Sequence, residues 1–295
     1  MVRLIDPSFL NELKELNFLL KKRISSVYAG GRPSIKHGRG IEVVDYREYI
    51  PGDDFRLIDW RVYGRMEKLY VRRFEEEKEV VLHILIDSSS SMDFKTGKLS
   101  KFDYAGSIAA GFGFLSVNNH EKFALGLYSD SLREITQPKK SQTHLFNTID
   151  LLNRTQLKGA TDLGVSVSQY SKLIKSKSIS VIISDFIEDM ESVREGIYRM
   201  AKHSKELMLV QVLDPWELDL GWSDDIKFQD METGEVKRTF ISPSFRREYG
   251  RKIREHNAQI EQTCHDIGVN FTTLTTETPL FGAFVRMVGG GKRGG

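Results

Sequence analysis

The sequence predicts an α/β protein with a doubly wound, mostly parallel sheet and one antiparallel edge strand. From Val80 onward, short apolar runs alternate with amphipathic segments, which is the pattern of parallel strands joined by helices. The run from Val80 to Ile86 is apolar throughout and rich in β-branched residues, so we expect a strand buried on both faces. Two later strand-like runs are separated by Ser129-Asp130 alone. So short a connection predicts a hairpin, which places one antiparallel strand at the sheet edge.

The elements follow from the spacing of apolar residues along the chain. Asp6-Pro7 opens an amphipathic helix that ends near Gly30. We expect strands at 80–86, 122–128, 131–136, 179–184, 207–213 and 269–274. We expect helices at 101–117, 143–153, 162–175 and 190–203, a long helix from Ser242-Pro243 to Ile267, and a short helix at 278–288.

These elements suggest three segments. Residues 1–79 are expected to form the N-terminal helix and an irregular or β-like extension packed on the sheet domain. Residues 80–288 form the α/β domain, with a polar insertion at 215–241, and the Gly-rich tail 289–295 is expected to be disordered. In a doubly wound order 3-2-1-4-5-6, strands 80–86 and 179–184 are neighbours on either side of the reversal point, where ligands bind in such sheets.

Oxygen-bearing side chains follow the two strands expected at this point. Asp87, Ser89 and Ser91 form a D-x-S-x-S motif directly after the first strand, and Asp185 follows the strand at 179–184. Thr161, in Gly-Ala-Thr-Asp, comes from a third loop. Five oxygen ligands from three loops suit a hard divalent cation such as Mg²⁺, or Mn²⁺, weakly bound. In the alternative interpretation, Asp87 and the serines form a turn and a helix cap, or a site of the same shape that holds no metal.

The five residues together resemble the metal-ion-dependent adhesion site of von Willebrand factor A domains. The resemblance implies that Asp87 and Asp185 often act through water and that one coordination position stays open for a carboxylate of a partner protein. The three hydroxyl ligands are neutral, so they leave the ion much of its positive charge. A catalytic Mg²⁺ is usually held by carboxylates beside substrate phosphates, so a binding role is favoured here.

The chain lacks residues that several enzyme classes require. A haloacid-dehalogenase-type phosphatase needs a second Asp where Ser89 stands, and there is no G-x-S-x-G motif of a serine hydrolase. The run Thr96–Ser100 departs from a phosphate-binding loop, because Met92 replaces its earlier glycine and Leu99 follows Lys98. A Mg²⁺-dependent hydrolase acting on a phosphoester is kept as the alternative to a binding module.

Composition and charge bear on the protein's partners and on its compartment. The chain has 295 residues, of which 40% are hydrophobic and 28% charged, and its net charge of +2 creates no global field that would recruit nucleic acid. Basic residues cluster between Arg246 and Arg254, but acidic neighbours dilute them, so a solvated helix face is the better interpretation. Cys264 is the single cysteine, no apolar run reaches the ~20 residues of a membrane span, and the N-terminus lacks a secretion core. We therefore expect a cytoplasmic protein without membrane insertion.

A second feature precedes the sheet. Residues 41–79 mix charges and aromatic residues densely, and charges of alternating sign surround Tyr49, Phe55 and Trp60. We interpret this as a structural network, with direct partner contact as the alternative. Its members are Arg47, Asp53, Asp54, Arg56, Asp59, Trp60 and Arg65.

This segment closely resembles the signature of a bacterial family, the von Willebrand A-like proteins numbered fifty-eight among the domains of unknown function. The chain departs at Val43, where the family prefers Phe, and at Gly64, where it usually has Ala. It matches at Gly40, Glu42, Asp45, Arg47, Tyr49, Gly52, Asp53, Asp54, Arg56, Ile58, Asp59, Trp60 and Arg65. Later runs, Asp214–Glu217 and Asp230–Glu235, also look like family landmarks. The resemblance implies an adaptor or co-chaperone of a MoxR-type AAA+ ATPase. We therefore expect a non-enzymatic, metal-dependent protein-binding module.

Overall fold

The computed structural model describes residues 43–74, 80–175, 178–218, 225–229, 236–240 and 243–289. These residues belong to two compact units, one within residues 20–79 and one from Val80 onward. The predicted N-terminal helix and residues 290–295 of the predicted tail lie outside the described residues. The packing of residues 1–79 on the sheet domain stays a prediction.

The first unit is organised around an antiparallel strand pair. It contains, in chain order, β1 (Val43–Glu48), a 3-10 turn (Phe55–Leu57), helix α1 (Trp60–Met66) and β2 (Tyr70–Phe74). Asp59 begins α1, because its carboxylate accepts hydrogen bonds from the backbone N–H groups of Arg61 and Val62. Ile58 pairs with Val71 across the unit, and both side chains are buried.

The second unit is built on a sheet of six strands, counted over the described residues. They are β3 (Val81–Asp87), β4 (Lys122–Tyr128), β5 (Leu132–Ile135), β6 (Ser178–Ser184), β7 (Ser204–Leu213) and β10 (Asn270–Thr275). The order is β10-β7-β6-β3-β4-β5, and neighbours pair in parallel except β4 with β5, which pair antiparallel at the edge. The order reverses between β3 and β6, as predicted, so the doubly wound α/β class is confirmed.

Helices cover the sheet at nearly the expected positions. They are α2 (Lys101–Asn118), α3 (Gln142–Arg154), α4 (Leu163–Tyr170), α5 (Met190–His203), α6 (Pro215–Leu218), α7 (Pro243–Asp266) and α8 (Leu280–Gly289). The helix predicted at 162–175 is shorter, because α4 ends at Tyr170 and a 3-10 turn, Ser171–Leu173, follows. Among the described residues, no helix is both long and apolar enough to cross a membrane.

The region predicted as a polar insertion, 215–241, contains regular structure. Besides α6, its described parts include β8 (Asp225–Gln229) and β9 (Val236–Phe240), which pair antiparallel. This pair was not predicted, although Ile226 and Phe228 alternate with polar residues, which is the period of a strand. The landmark Asp230–Glu235 lies outside the described residues.

The central strand explains where the polar loops meet. Ile84, Leu85 and Ile86 of β3 are 0% exposed, because helices cover both faces of a parallel sheet. The strand therefore continues inside the core until Asp87, its last residue. Since β3 and β6 run in parallel as neighbours, the loops that follow them emerge at the same edge.

Candidate metal centre at the carboxyl edge of the sheet

Asp87 is a fully buried carboxylate at the end of β3. Its Oδ1 accepts a hydrogen bond from the backbone N–H of Ser89 at 2.8 Å. Its Oδ2 accepts from the Ser184 hydroxyl at 2.7 Å and from the Thr161 hydroxyl at 3.2 Å. Both oxygens of this carboxylate, which burial has removed from water, therefore have hydrogen-bond donors.

Ser89 and Ser91 connect Asp87 with Asp185, which follows β6 directly. The two serine Oγ atoms lie 3.1 Å apart, and the Ser91 hydroxyl donates to Asp185 Oδ2 at 2.8 Å. Ser89 occupies the N-cap position of a 3-10 turn, but its side chain makes no capping hydrogen bond. The turn-and-cap alternative therefore accounts for the backbone of this loop but not for its hydroxyl groups.

Thr161 reaches the site on a second loop that hydrogen-bonds to the first. The Ser90 N–H donates to the Gly159 carbonyl at 3.0 Å, and the Lys158 N–H donates to the Ser88 carbonyl at 3.2 Å. Gly159 has φ +85°, a conformation that L side chains rarely adopt, so a glycine suits this approach. The backbone bonds hold the Thr161 hydroxyl at the edge of the sheet.

The structure thus brings all five predicted ligands into one hydrogen-bonded cluster. Asp87, Ser89 and Asp185 are buried, whereas Ser91 and Thr161 are half-buried. Solvent therefore reaches the cluster at its hydroxyl side.

The cluster also contains a cation, which the sequence analysis did not assign to the site. Lys101, the first residue of α2, is 0% exposed, and its Nζ lies 2.7 Å from Asp185 Oδ2 and 2.6 Å from Glu217 Oε1. The ring centroid of Phe94 is 5.9 Å from this Nζ. A helix dipole disfavours a cation at its N-terminal end, so the position of Lys101 depends on the two carboxylates.

Glu217 is positioned by the loop after β7. Its Oε2 accepts a hydrogen bond from the backbone N–H of Asp214 at 2.9 Å. The N–H and hydroxyl of Thr96 in turn donate to the Asp214 carboxylate at 2.8 Å and 2.5 Å. Since β7 lies beside β6, its loop arrives at the same edge and adds a third carboxylate to the cluster.

The charges of the cluster are compensated unequally. Burial raises the pKa of Asp87 to about 6, and the neighbouring charge of Asp185 adds to the rise. Burial acts on Asp185 in the same direction, but the Lys101 ammonium outweighs it and holds the pKa of Asp185 below its usual value. Burial also raises the pKa of Glu217, although Lys101 opposes the rise. The positive charge of Lys101 therefore serves Asp185 and Glu217, and Asp87 receives less of it.

The donor set fits a hard divalent cation. Its atoms are carboxylate and hydroxyl oxygens, the ligands that Mg²⁺ prefers. When ionised, the three carboxylates outweigh the one ammonium group, which leaves a formal excess of negative charge. Within the described ranges, no group of three or more His, Cys, Asp or Glu side chains is arranged to hold a metal. A bound ion would therefore depend on the hydroxyl ligands Ser89, Ser91 and Thr161.

The predicted network of the signature segment lies in the first unit. Arg47 and Asp53 form an ion pair at 2.8 Å, and the Arg47 side chain lowers the pKa of Asp53. Asp54 accepts a hydrogen bond from the backbone N–H of Arg56 at 3.0 Å. Asp59, besides capping α1, accepts one from the Tyr46 hydroxyl at 3.2 Å. These contacts show charged side chains organising the turns of this unit.

Two aromatic residues of the segment, Trp60 and Phe55, are exposed, whereas Tyr49 is half-buried. Trp60 is 60% exposed and packs edge-to-face against Tyr63, with 6.2 Å between ring centroids. Phe55 is 65% exposed, and Arg56 lies 6.0 Å from its ring centroid. Arg65 lies in the last turn of α1. Direct partner contact through this segment stays a prediction.

Three residues of the site escaped the sequence analysis as site residues: Ser184, Lys101 and Glu217. Two signals could have found the charged pair. A lysine in the first turn of a helix is unusual, because acidic residues are favoured there. The run Asp214–Glu217 follows the strand next to β6, so its side chains had to reach the same edge.

Several known proteins are similar to this chain in sequence or in structure. The uncharacterized protein Rv1480 of Mycobacterium tuberculosis (strain ATCC 25618 / H37Rv) is 27% identical over 292 residues, which are 98% of this chain and 92% of that protein. The crystal structure of BatB, a conserved hypothetical protein from Bacteroides thetaiotaomicron, has 12% sequence identity and a TM-score of 0.46, covering 72% of this chain and 98% of that one. The crystal structure of the SpRpn10 VWA domain has 13% identity and a TM-score of 0.44, covering 70% and 94%.

The family assignment comes from the sequence. The family described as "Protein of unknown function DUF58" matches residues 45–259, which begin inside the signature segment and end in α7. The match takes in Asp87, Thr161 and Asp185 together with Lys101 and Glu217. Because this range is most of the chain, the chain belongs to the family of unknown function DUF58, as its signature segment predicted.

Proposed function

We propose that this chain is a non-enzymatic protein-binding module in which a weakly held Mg²⁺ or Mn²⁺ ion at the candidate metal centre engages a carboxylate of a partner protein. The observation that carries the proposal is the convergence of five oxygen-bearing side chains at one edge of the sheet: the buried carboxylates of Asp87 and Asp185 and the hydroxyls of Ser89, Ser91 and Thr161. Among the described residues, Asp87 has no ion-pair partner, and a buried carboxylate of this kind is stabilised by a cation.

Some residues of the centre would bind the ion, and others would orient the carboxylate of the partner. Asp87, Ser89, Ser91 and Thr161 would hold the ion, with Asp185 acting directly or through water. A divalent ion on mostly neutral ligands keeps much of its charge, which attracts an outside carboxylate. Ser91 and Thr161 are the ligands nearest to solvent, so their hydroxyls would orient the incoming group.

The proposed partner is a MoxR-type AAA+ ATPase, which the family resemblance implies. A carboxylate that meets the centre loses water on both sides of the interface, so the contact would be directional as well as attractive. This mode of binding requires an acidic residue on the partner and a metal on this chain.

Calorimetric titration with Mg²⁺ and with Mn²⁺ tests the metal. We expect one weak site in the wild type and its loss in Asp87→Asn, which keeps the shape of the side chain but removes its charge. Asp93→Asn is the matched control, because Asp93 is exposed at the end of the same loop. Equal heats of binding in the wild type and Asp87→Asn would contradict the proposal.

Co-purification with the ATPase, in Mg²⁺ and in EDTA, tests the partner. We expect the complex in Mg²⁺ only, a loss in Thr161→Ala, and retention in Thr161→Ser, which keeps the hydroxyl. Undiminished binding in EDTA and in Thr161→Ala would refute the metal-bridged contact. Turnover of a phosphoester that disappears in Asp87→Asn would refute the non-enzymatic assignment.

A further inference from the structure

Lys101 gives the candidate metal centre a permanent cation of its own. Its ammonium is completely buried and lies between two carboxylates, 2.7 Å from Asp185 Oδ2 and 2.6 Å from Glu217 Oε1. Two charge-assisted hydrogen bonds, made by an ammonium that is itself fully buried, leave this side chain little freedom to move away. Any second cation must therefore bind beside it.

The contacts of Asp185 show what this means for a metal ion. Its Oδ1 accepts the backbone N–H of Ile187 at 3.1 Å. Its Oδ2 accepts both the Lys101 ammonium and the Ser91 hydroxyl. Both oxygens are thus engaged, whereas Asp87 receives uncharged donors only among the described residues.

We propose that Lys101 and Glu217 form an internal ion pair that sets the metal affinity of the centre, with Lys101 competing for Asp185 and restricting a divalent ion to the Asp87 side. The proposal rests on the metal binding proposed above and assigns a role in it to two further residues. Lys101 opposes the ion in two ways, by repelling it and by occupying the Asp185 oxygen that could bind it directly.

Glu217 moderates this competition. It shares the ammonium with Asp185 and is held in place by the Asp214 N–H, so Asp185 is only partly neutralised. Without Glu217, the whole charge of Lys101 would fall on Asp185 and oppose a metal more strongly. The Lys101–Glu217 pair therefore lowers the metal affinity of a donor set that has excess negative charge, so that the ion is bound weakly and can exchange.

The double variant Lys101→Met/Glu217→Gln tests the competition without changing the formal charge. It removes both members of the Lys101–Glu217 pair, so Glu217 is not left as an uncompensated charge, and Asp185 alone loses its cation. Titration with Mg²⁺ should show binding about tenfold tighter than in the wild type, because the ammonium nearest to Asp185 is gone. Electron paramagnetic resonance of Mn²⁺ should show the same change as a smaller free-ion signal.

Glu217→Gln alone should act in the opposite direction and weaken Mg²⁺ binding about fivefold, since it removes a negative charge and leaves Lys101. Lys98→Met is the control for removing a lysine charge close in sequence; because Lys98 is exposed, water screens its charge and the affinity should be unchanged. If the double variant does not fold, the single variant decides, and an unchanged affinity overturns the inference.

The outcomes separate this inference from the proposed function. Equal Mg²⁺ affinities in the wild type, the double variant and Glu217→Gln overturn the inference and leave metal binding standing. Absence of Mg²⁺ binding in all of them overturns both.

Discussion

The signature segment and the metal-centre cluster both place opposite charges beside aromatic rings, yet they differ in burial. In the segment, the side chains of the Arg47–Asp53 pair are 39% and 21% exposed. In the cluster, those of the Lys101–Asp185 pair are 0% and 1% exposed. Water screens the first pair, whereas the second must compensate its charges internally. The comparison shows that a charge pattern becomes energetically decisive only where the fold removes it from water.

Removal of one cation from each region tests this comparison most strongly. Lys101→Met leaves Asp185 and Glu217 buried without their cation, so the free energy of unfolding of the sheet unit should fall by about 3–5 kcal/mol. Arg47→Met should leave stability nearly unchanged, because solvent screens its partner. Urea unfolding of both variants measures the difference. Similar losses in the two variants would break the comparison.

The close contact between Gly196 and Leu163 predicts the second-largest loss of stability. A Cβ added at Gly196 would lie 2.5 Å from Leu163 Cγ, and Leu163 follows the Thr161–Asp162 loop directly. Gly196→Ala should therefore destabilise the sheet unit by about 1–3 kcal/mol, through displacement of a fully buried side chain. Thermal unfolding measures it. A stability equal to that of the wild type would show that α4 and α5 can move apart without cost.

A pH titration separates buried from exposed titratable groups. Burial lowers the pKa of His83 to about 4, from 6.5 in the unfolded chain. The stability that the neutral imidazole contributes to the folded state is therefore complete above pH 6.5 and is lost as the pH falls toward 4. Between pH 6.5 and 5 the loss should be about 2 kcal/mol. Burial raises the pKa of two acids, the fully buried Asp87 and the half-buried Glu188, so their contribution to stability grows as the pH falls, opposite to that of His83. The measurement is therefore the difference between the wild type and His83→Gln.

The difference should shrink steadily as the pH falls through this range, and a difference independent of pH would contradict the assignment. The half-exposed Arg47–Asp53 pair supplies the contrast, because the Arg47 side chain lowers the pKa of Asp53, so the stability that the ionised Asp53 contributes is lost only at more acidic pH.

The smallest expected effect is in the signature segment. A Cβ added at Gly64, within α1, meets no atom within 4 Å, so Gly64→Ala should stabilise the helix by about 0.5–1 kcal/mol. Amide hydrogen exchange of α1 measures the gain as slower exchange. Faster exchange would indicate that the position is constrained by something other than open space.

The sequence predicted most of the fold because the relevant signals are local. The apolar run before Asp87 predicted a central strand, and Ser129-Asp130 predicted the antiparallel edge, both of which the structure confirms. The β8–β9 pair was missed, because polar composition suggested an insertion although the strand period was present. The end of α4 at Tyr170 was missed as well, since apolar spacing continues beyond it.

The candidate site was predicted in part. Asp87, Ser89 and Ser91 are recognisable from their spacing, and parallel strand order brings Asp185 beside them, as the hydrogen bonds of the cluster show. Lys101 was assigned no role, because its place in the first turn of a helix marks an unusual lysine but does not indicate which carboxylates it meets.

The sequence by itself determined the succession of strands and helices, the polar residues at each strand end and the membership of the family, because periodicity and motifs are properties of neighbours along the chain. The order of the strands in the sheet was seen only in the folded structure. The tertiary structure alone decided which charges are buried and which carboxylate each cation meets. Lys101, Asp185 and Glu217 belong to three separate parts of the chain. Lys101 is 84 residues from Asp185 and 116 residues from Glu217 in sequence, and the fold brings the three together. The energy of an electrostatic interaction depends on the distance between the charges and on their exposure to water, and only the folded chain sets both.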